Sequence, residues 1–168
     1  FTRLLPPPEG SGFPPMANER ILFMKTVIQR VTEASVTIDG KVNGKIGKGL
    51  MILIGISAED TKEQADWIAH KIANMRIFED GEQHMNRSIL DIGGDILAVS
   101  QFTLYADCRK GNRPNFMAAG RPEMSEPLYA YLCDALRGHG IHVETGIFGA
   151  DMQVSLVNDG PVTIVLER

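Results

Sequence analysis

The sequence is short of cysteine and of net positive charge, and each shortage excludes a class of protein. Of the 168 residues only Cys108 and Cys133 are cysteines, and they lie far apart and fit no CxxC spacing. A disulfide framework is therefore not indicated, and reduced thiols in the cytoplasm are expected. The formal net charge is -4, which argues against a surface that coats nucleic acid but leaves room for local basic patches.

Long apolar runs and metal-binding patterns are missing as well. No apolar stretch approaches the length that a membrane-spanning helix needs, so no membrane partner is expected. The four histidines form no HExxH or similar pattern, and Gly140 between His139 and His142 argues against a shared helical face. We therefore expect neither a metal ion nor another cofactor.

The residues that are present indicate one globular domain behind an irregular beginning. The hydrophobic fraction of 43% and the charged fraction of 23% are ordinary for a soluble protein, and 168 residues are enough for one sizeable core. Residues 1–23 differ, because proline and glycine cluster there and no period is visible. We interpret them as a disordered extension (a cloning remnant, a leader or a targeting segment) and place the domain at residues 24–168.

The first part of this domain is predicted to be strands and hairpins. Residues 24–49 are rich in β-branched side chains, which favour strands. The dipeptides Asp39-Gly40 and Asn43-Gly44 predict hairpin turns between them.

Two helices are predicted among further strands. The first spans "TKEQADWIAHKIANMR", where Thr61 and Gln64 form a capping-box pattern. The second spans "SEPLYAYLCDALRGHG", with Ser125 as its cap and Gly138 at its end. Strands are predicted in "LMILIGISAED", "DILAVSQFTLYAD", "IHVETGIF", "MQVSLVN" and "VTIVLER". This order indicates a single α/β domain with a mixed, largely antiparallel sheet and two main helices.

The stretch "NDGPVT" near the end of the chain admits more than one interpretation. Asn158-Asp159-Gly160 is a strong turn signal between two alternating segments, and Pro161 lacks a backbone N–H. Local chemistry alone favours a hairpin turn, with Pro161 starting the last strand where no donor is needed.

Polar residues interrupt one of the apolar segments. "SQFTLY" offers the Ser100 and Thr103 hydroxyls and the Gln101 amide, which are either satisfied core groups or the floor of a site. No GxSxG motif is present and no histidine lies nearby in sequence, so a nucleophilic triad is not supported.

A short loop carries three basic residues. "CRKGNRP" places Arg109, Lys110 and Arg113 together, with a glycine and a proline that would hold the loop in a defined shape. The loop is either a solvated charged segment or a local contact for phosphates, and the sequence favours neither.

Several of these stretches together resemble the D-aminoacyl-tRNA deacylase family. "SQFTL" and "NDGPVT" are similar to the paired signature of that family, and so are "KGNRP" and the opening "MKTVIQRVTEASV". The resemblance runs from Met24 to Arg168, although Asn115 stands where a serine is expected. Ser100 and the intact second motif are typical of the standard deacylases, not of the paralogues that carry proline in place of this serine.

The resemblance implies a homodimeric enzyme that hydrolyses the ester between a D-amino acid and the terminal ribose of tRNA, and that also acts on glycyl-tRNA. It implies that the Gly160-Pro161 bond is cis, that this pair projects into the active site of the partner subunit, and that Arg30 helps to hold the pair. Rigid main chain at this place would meet an L side chain and let a D side chain leave the pocket.

The implied chemistry needs few groups, because an aminoacyl ester is already activated. We expect backbone N–H groups near Phe102 and Thr103 to polarise the ester carbonyl, while a neighbouring ribose hydroxyl assists attack by water. Gln101 and Ser100 would shape the pocket. Thr103 is a candidate nucleophile, but no base to activate its hydroxyl is found in the sequence.

The implied partner is the acceptor end of aminoacyl-tRNA in the cytoplasm, contacted through Arg109, Lys110 and Arg113. Two alternatives remain open. The first is a small-molecule esterase that uses Thr103 or Ser100, which activity on simple esters would support. The second is a non-enzymatic module that binds tRNA or DNA, which affinity without turnover would support.

Overall fold

The computed structural model describes residues 23–168, so the predicted extension lies outside the described residues except for Phe23. In the described part, the helices are α1 (Lys62–Asn74), α2 (Ile89–Ile92) and α3 (Pro122–Gly138), with a 3-10 turn at Phe102–Tyr105. The strands there are β1 (Lys25–Ile38), β2 (Lys41–Ile46), β3 (Gly49–Gly55), β4 (Phe78–Glu79), β5 (Met85–Arg87), β6 (Asp95–Ser100), β7 (Val143–Thr145) and β8 (Gln153–Glu167).

Strand β1 organises the main sheet because it pairs along both of its edges. One edge pairs with β3 along its first half and with β2 along its second half, while the other edge pairs with β8 along nearly its whole length. These pairs are antiparallel, and β6 and β7 continue the sheet beyond β3 in parallel orientation. The predicted α/β fold with a mixed, largely antiparallel sheet and two main helices is confirmed.

The helices α1 and α3 cover one face of this sheet. Ile52 of β3, Ile68 of α1 and Leu132 of α3 are fully buried in one apolar cluster. Burial of one such side chain stabilises the fold by about 1.5–3 kcal/mol, so this layer is a main source of stability. The start of α1 is as predicted, because the Thr61 N–H donates to the Gln64 side-chain oxygen at 2.8 Å.

The opposite face of β3 and β6 is covered by the sheet itself, which curls until β2 lies next to β7. Leu97 of β6 packs with Val36 of β1 in a second buried cluster. Gly44 permits the close approach, because a Cβ there would lie 2.9 Å from the carbonyl oxygen of Thr145. The turn predicted at Asn43-Gly44 is therefore wrong, since both residues lie within β2 where its pairing with β1 is irregular.

Two other predicted boundaries are wrong. The second long helix begins at Pro122, and Ser125 is a buried residue of its first turn instead of its cap. Proline suits this start, because its missing N–H would have no partner at the first helical position. The strand predicted in "IHVETGIF" is confined to β7. Within the described residues, no helix has the length and apolar character needed to cross a membrane.

Candidate active site

The polar segment after β6 forms a turn instead of continuing the strand. β6 ends at Ser100 and the 3-10 turn Phe102–Tyr105 follows, so the longer strand predicted here is wrong. The Gln101 N–H still donates to the Ile54 carbonyl of β3 at 2.7 Å. The turn then packs over Gly55, where a Cβ would lie 3.2 Å from the Gln101 carbonyl oxygen. Absence of a side chain at Gly55 therefore lets the chain bend across the end of β3.

Tyr105 anchors this turn in the core. Its ring is buried, and its hydroxyl donates to the carbonyl of Gly55 at 3.3 Å and to the carbonyl of Phe23. Burial, with a smaller contribution from the Asp60 charge, raises the pKa of Tyr105 above its ordinary value. The hydroxyl is protonated at neutral pH, as tyrosine ordinarily is, and ties the turn to β3 and to the segment before β1.

An apolar pocket of about 610 Å3 opens beside the turn. Phe102, Phe116 and Phe148 line it, and the rings of Phe102 and Phe116 meet edge to face with centroids 5.2 Å apart. Ser100 and Gln101 bring polar groups to the same lining. A pocket with aromatic walls and few polar groups suits a planar ring that carries a polar substituent.

The environment of Thr103 does not activate its hydroxyl. The side chain is exposed, and its Oγ1 accepts a hydrogen bond from the Gln101 amide. An amide does not take up a proton at neutral pH, so this partner cannot activate the hydroxyl as a base would. The N–H groups of Phe102 and Thr103 stand at the start of the 3-10 turn, where the turn itself offers them no acceptor. These two N–H groups are thus better placed than the hydroxyl for a role in chemistry.

The second motif forms a bulge in β8, and the hairpin interpretation is wrong. Both flanks of the motif pair with β1, since Gln29 lies opposite Thr163 and Val31 lies opposite Asn158. Residues 159–162 therefore stand opposite the single residue Arg30, and we call them the β8 bulge.

The tip of the β8 bulge is exposed main chain. Gly160 has φ +123°, a conformation that residues with a Cβ rarely adopt, and both Gly160 and Pro161 are exposed. The Gly160-Pro161 peptide bond is cis, as predicted. The function predicted for this pair stays a prediction.

Arg30 lies directly beneath the β8 bulge. Its side chain is buried, with Nη1 donating to the Ile77 carbonyl at 2.7 Å and Nε donating to the Asp159 carbonyl at 3.2 Å. Nε also lies 3.3 Å from the Asp159 carboxylate, and Nη2 lies 3.8 Å from that of Glu79. A Cβ on Gly160 would lie 3.0 Å from Nη2. The guanidinium thus connects the bulge to the segment that enters β4.

Asn158 is a site residue whose local sequence indicated only a turn. Its Nδ2 donates to the Arg30 carbonyl at 3.0 Å and to the Val162 carbonyl at 2.9 Å. One amide therefore joins the first flank of the bulge to its last residue and to β1. The signal was present in the sequence, because asparagine side chains often hydrogen-bond nearby backbone, but the acceptors depend on the pairing with β1.

The basic residues lie in an exposed loop next to the pocket. The Asp107 N–H donates to the Asn115 carbonyl at 2.8 Å, and the reverse bond is 3.0 Å long, which closes residues 107–115 into a loop. Arg109 is held by two 2.9 Å hydrogen bonds to the Asp107 carboxylate. The loop is followed directly by Phe116, which lines the pocket. Lys110 and Arg113 are exposed there.

The family model that matches this chain and its most similar curated relatives are described by one activity. The family model described as D-Tyr-tRNA(Tyr) deacylase matches residues 27–167. A D-aminoacyl-tRNA deacylase from Brevibacillus brevis is 61% identical over 144 residues, which cover 86% of this chain and 99% of that protein. One from Thermus aquaticus is 58% identical over 144 residues, which cover 86% of this chain and 95% of that protein. The chain belongs to the D-aminoacyl-tRNA deacylase family.

A solved structure agrees with this deacylase fold. The protein described as "c-Myc DNA Unwinding Element Binding Protein" superposes with a TM-score of 0.80 at 45% identity, covering 86% of this chain and 99% of that one. The similarity therefore extends over the whole described domain.

Within this deacylase domain the predicted site residues fall into two groups. Ser100, Gln101 and Phe102 meet at the pocket. Gly160 and Pro161 form the second group, and they are not among the described residues that line the pocket. In the part of the chain that the structure describes, no cluster of three or more histidine, cysteine, aspartate or glutamate side chains could hold a metal ion. The pocket lining combines hydroxyl, amide and aromatic groups with two charged residues, Arg121 and Asp151.

Proposed function

We infer that this protein hydrolyses the ester bond of D-aminoacyl-tRNA and releases the free amino acid and tRNA. The observation that carries this inference is the family match over residues 27–167, together with relatives 58–61% identical that are named for the same activity. The pocket beside the 3-10 turn supports it, because its aromatic walls suit the terminal nucleoside of tRNA.

The reaction is proposed to take place at the start of the 3-10 turn. The N–H groups of Phe102 and Thr103 donate to the ester carbonyl oxygen and stabilise the negative charge that develops there. The oxygen of water bonds to the carbonyl carbon, the bond from this carbon to the ribose oxygen breaks, and a proton passes to the ribose oxygen. The neighbouring ribose hydroxyl assists the water, and Gln101 and Ser100 position the substrate.

The Gly160-Pro161 tip is proposed to reject L-aminoacyl-tRNA at the pocket of the partner subunit. Support comes from its exposure, from the absence of a side chain at Gly160, and from the hold of Arg30 and Asn158 on the bulge. Main chain cannot rotate away as a side chain does, so a substituent aimed at it is excluded strongly. Glycyl-tRNA has no side chain to exclude and is accepted.

This proposal requires a homodimer in which each pocket receives the tip of the other subunit. The tRNA acceptor end would approach over the loop of Arg109, Lys110 and Arg113, which leads directly into Phe116 of the pocket. The tRNA substrate and the free thiols of Cys108 and Cys133 are compatible with action in the cytoplasm.

A deacylation assay with matched D-, L- and glycyl-tRNA tests the activity. We expect hydrolysis of the D and glycyl esters and protection of the L ester. Equal hydrolysis of D and L esters would overturn the chiral assignment. Hydrolysis of simple esters alone would support a small-molecule esterase, and tRNA affinity without any turnover would support a binding module.

Mixing two inactive variants tests the shared site. Gln101→Ala disables the pocket, and Gly160→Leu adds a side chain to the tip that would block the pocket of the partner subunit. After subunit exchange, half of the dimers are mixed and each has one intact site of two, so about one quarter of the original activity should return. Native mass spectrometry should verify the exchange. Mixed dimers without recovered activity would contradict the shared site.

A further inference from the structure

We propose that Asn158 is a positioning residue that sets the shape of the β8 bulge and thereby the preference for D over L substrates. This inference rests on the proposed function, because it assigns a structural cause to the selectivity of the Gly160-Pro161 tip. Asn158 is not among the described residues that line the pocket, and it acts through the Arg30 and Val162 carbonyls that it binds.

The Asn158 amide bridges the two ends of the β8 bulge. The pairing of β8 with β1 stops after Asn158 and resumes at Thr163, so four residues of β8 stand opposite Arg30. The Asn158 Nδ2 donates to the Val162 carbonyl at 2.9 Å, and therefore connects the residue before the bulge to its last residue. This one side chain therefore sets the distance between the two ends of the bulge.

The same amide replaces a hydrogen bond that the bulge removes from the sheet. In an undisturbed antiparallel pair, a β8 N–H would donate to the Arg30 carbonyl. Here the Asn158 Nδ2 donates to that carbonyl at 3.0 Å. Both acceptors are carbonyls, which cannot donate, so the orientation of the amide is determined by its partners.

Arg30 is consequently held at its main chain and at its side chain. Asn158 binds its carbonyl, while its guanidinium binds the Asp159 and Ile77 carbonyls. The two residues hold opposite ends of the bulge, because Arg30 binds the Asp159 carbonyl and Asn158 binds the Val162 carbonyl. Loss of the Asn158 donors lets the two ends of the bulge move apart but leaves the guanidinium contacts and the apolar clusters in place.

A loosened bulge changes selectivity more than it changes hydrolysis. The ester-polarising N–H groups belong to the 3-10 turn, which is anchored separately through Tyr105. Glycyl-tRNA carries no side chain, so its hydrolysis does not depend on where the tip stands. Hydrolysis of the D and L esters does depend on the position of the tip, because the substrate side chain must pass the main chain of the tip on one side or the other.

The test uses two variants. Asn158→Asp replaces the amide donor by an acceptor of nearly equal shape, and Asn158→Ala removes the donor and the acceptor together. The control is Asn43→Asp, since the Asn43 Nδ2 also donates to a main-chain carbonyl, that of Thr145 at 2.8 Å, in a different part of the sheet. kcat/KM is measured for D-, L- and glycyl-tRNA at a temperature where each variant is folded, with unfolding midpoints recorded in parallel.

The ratio of D to L rates should fall about tenfold or more in both Asn158 variants, while the glycyl rate changes by no more than about threefold. Asn43→Asp should lower the unfolding midpoint without moving the ratio. An unchanged ratio in folded Asn158→Ala would overturn the proposal, as would an equal fall of all three rates. If the unaltered protein itself shows no D preference, the proposed function fails and this inference fails with it.

Discussion

The 3-10 turn and the β8 bulge both carry predicted site residues, yet they are held by different forces. The turn lies over Gly55 and is anchored by the buried ring and hydroxyl of Tyr105. The β8 bulge is exposed main chain, held from below by the polar side chains of Arg30 and Asn158. Packing thus positions the part proposed for hydrolysis, and hydrogen bonds position the part proposed for chirality.

This difference has a consequence for substitutions. Changes around the turn should lower the rates on all substrates together, because the ester-polarising groups move with it. Changes around the bulge should alter the rates on D, L and glycyl substrates unequally. A substitution that breaks this division would show that the two regions are coupled.

The largest effect is expected for Arg30→Met, which keeps the apolar stem and removes the guanidinium. The buried carbonyl of Ile77 and the carbonyl of Asp159 lose their donor, and unpaired buried acceptors cost about 1–3 kcal/mol each. The free energy of unfolding should fall by about 3 kcal/mol in urea titrations.

Arg30→Lys is the matched control, because it keeps the charge without the planar set of donors. It should recover part of the stability and little of the D preference. A stability of Arg30→Met equal to that of the unaltered protein would show that the bulge is held by other contacts.

The same change at two glycines gives the sharpest test of the comparison. In Gly55→Ala the new Cβ would lie 3.1 Å from Leu104 Cβ, so the turn must shift. In Gly160→Ala it would lie 2.9 Å from Val162 Cγ2, in a backbone conformation with φ +123°. Each should cost about 1–3 kcal/mol of stability.

Their kinetic signatures should differ. Gly55→Ala should lower kcat/KM for D- and glycyl-tRNA by the same factor. Gly160→Ala should change the D to glycyl ratio, because the altered surface meets the side chain of the D substrate. Identical rate profiles for the two variants would contradict the separate roles of the turn and the bulge.

Local sequence signals predicted the elements whose partners are close in sequence. The capping box of Thr61 and Gln64 predicted the start of α1, and Asp39-Gly40 predicted the turn between β1 and β2. Both signals act within a few residues, so no knowledge of the tertiary structure is needed to interpret them.

Two predictions that were wrong depended on distant partners. "NDGP" has the chemistry of a hairpin turn, but both of its flanks pair with β1, which lies more than a hundred residues earlier. "SQFTLY" continues an apolar strand in sequence, but its parallel partner β3 ends at Gly55. Turn and strand propensities contain no information on these partners, so the site geometry required the structure.

A smaller effect is expected for Tyr105→Phe on the turn. The variant loses the hydroxyl that donates to the Gly55 carbonyl, and the free energy of unfolding should fall by about 1 kcal/mol. Rates on all accepted substrates should fall together, with the D to L ratio unchanged. Tyr131→Phe is the control, because its hydroxyl binds the exposed Asp66 carboxylate and should matter little. A selective loss on one substrate would argue against a common anchor.

The smallest effect is expected for Thr103→Ala. The hydroxyl is exposed and accepts a hydrogen bond from the Gln101 amide, which is not a base, so it is not activated to attack the ester. The backbone N–H groups of the turn remain in the variant, and stability should change by no more than about 0.5 kcal/mol. Deacylation of D-aminoacyl-tRNA should therefore continue at a substantial fraction of the original rate, and mass spectrometry of the quenched reaction should detect no acyl group on the enzyme. An aminoacyl adduct trapped on Thr103, or complete loss of activity in a folded Thr103→Ala variant, would return this hydroxyl to the role of nucleophile.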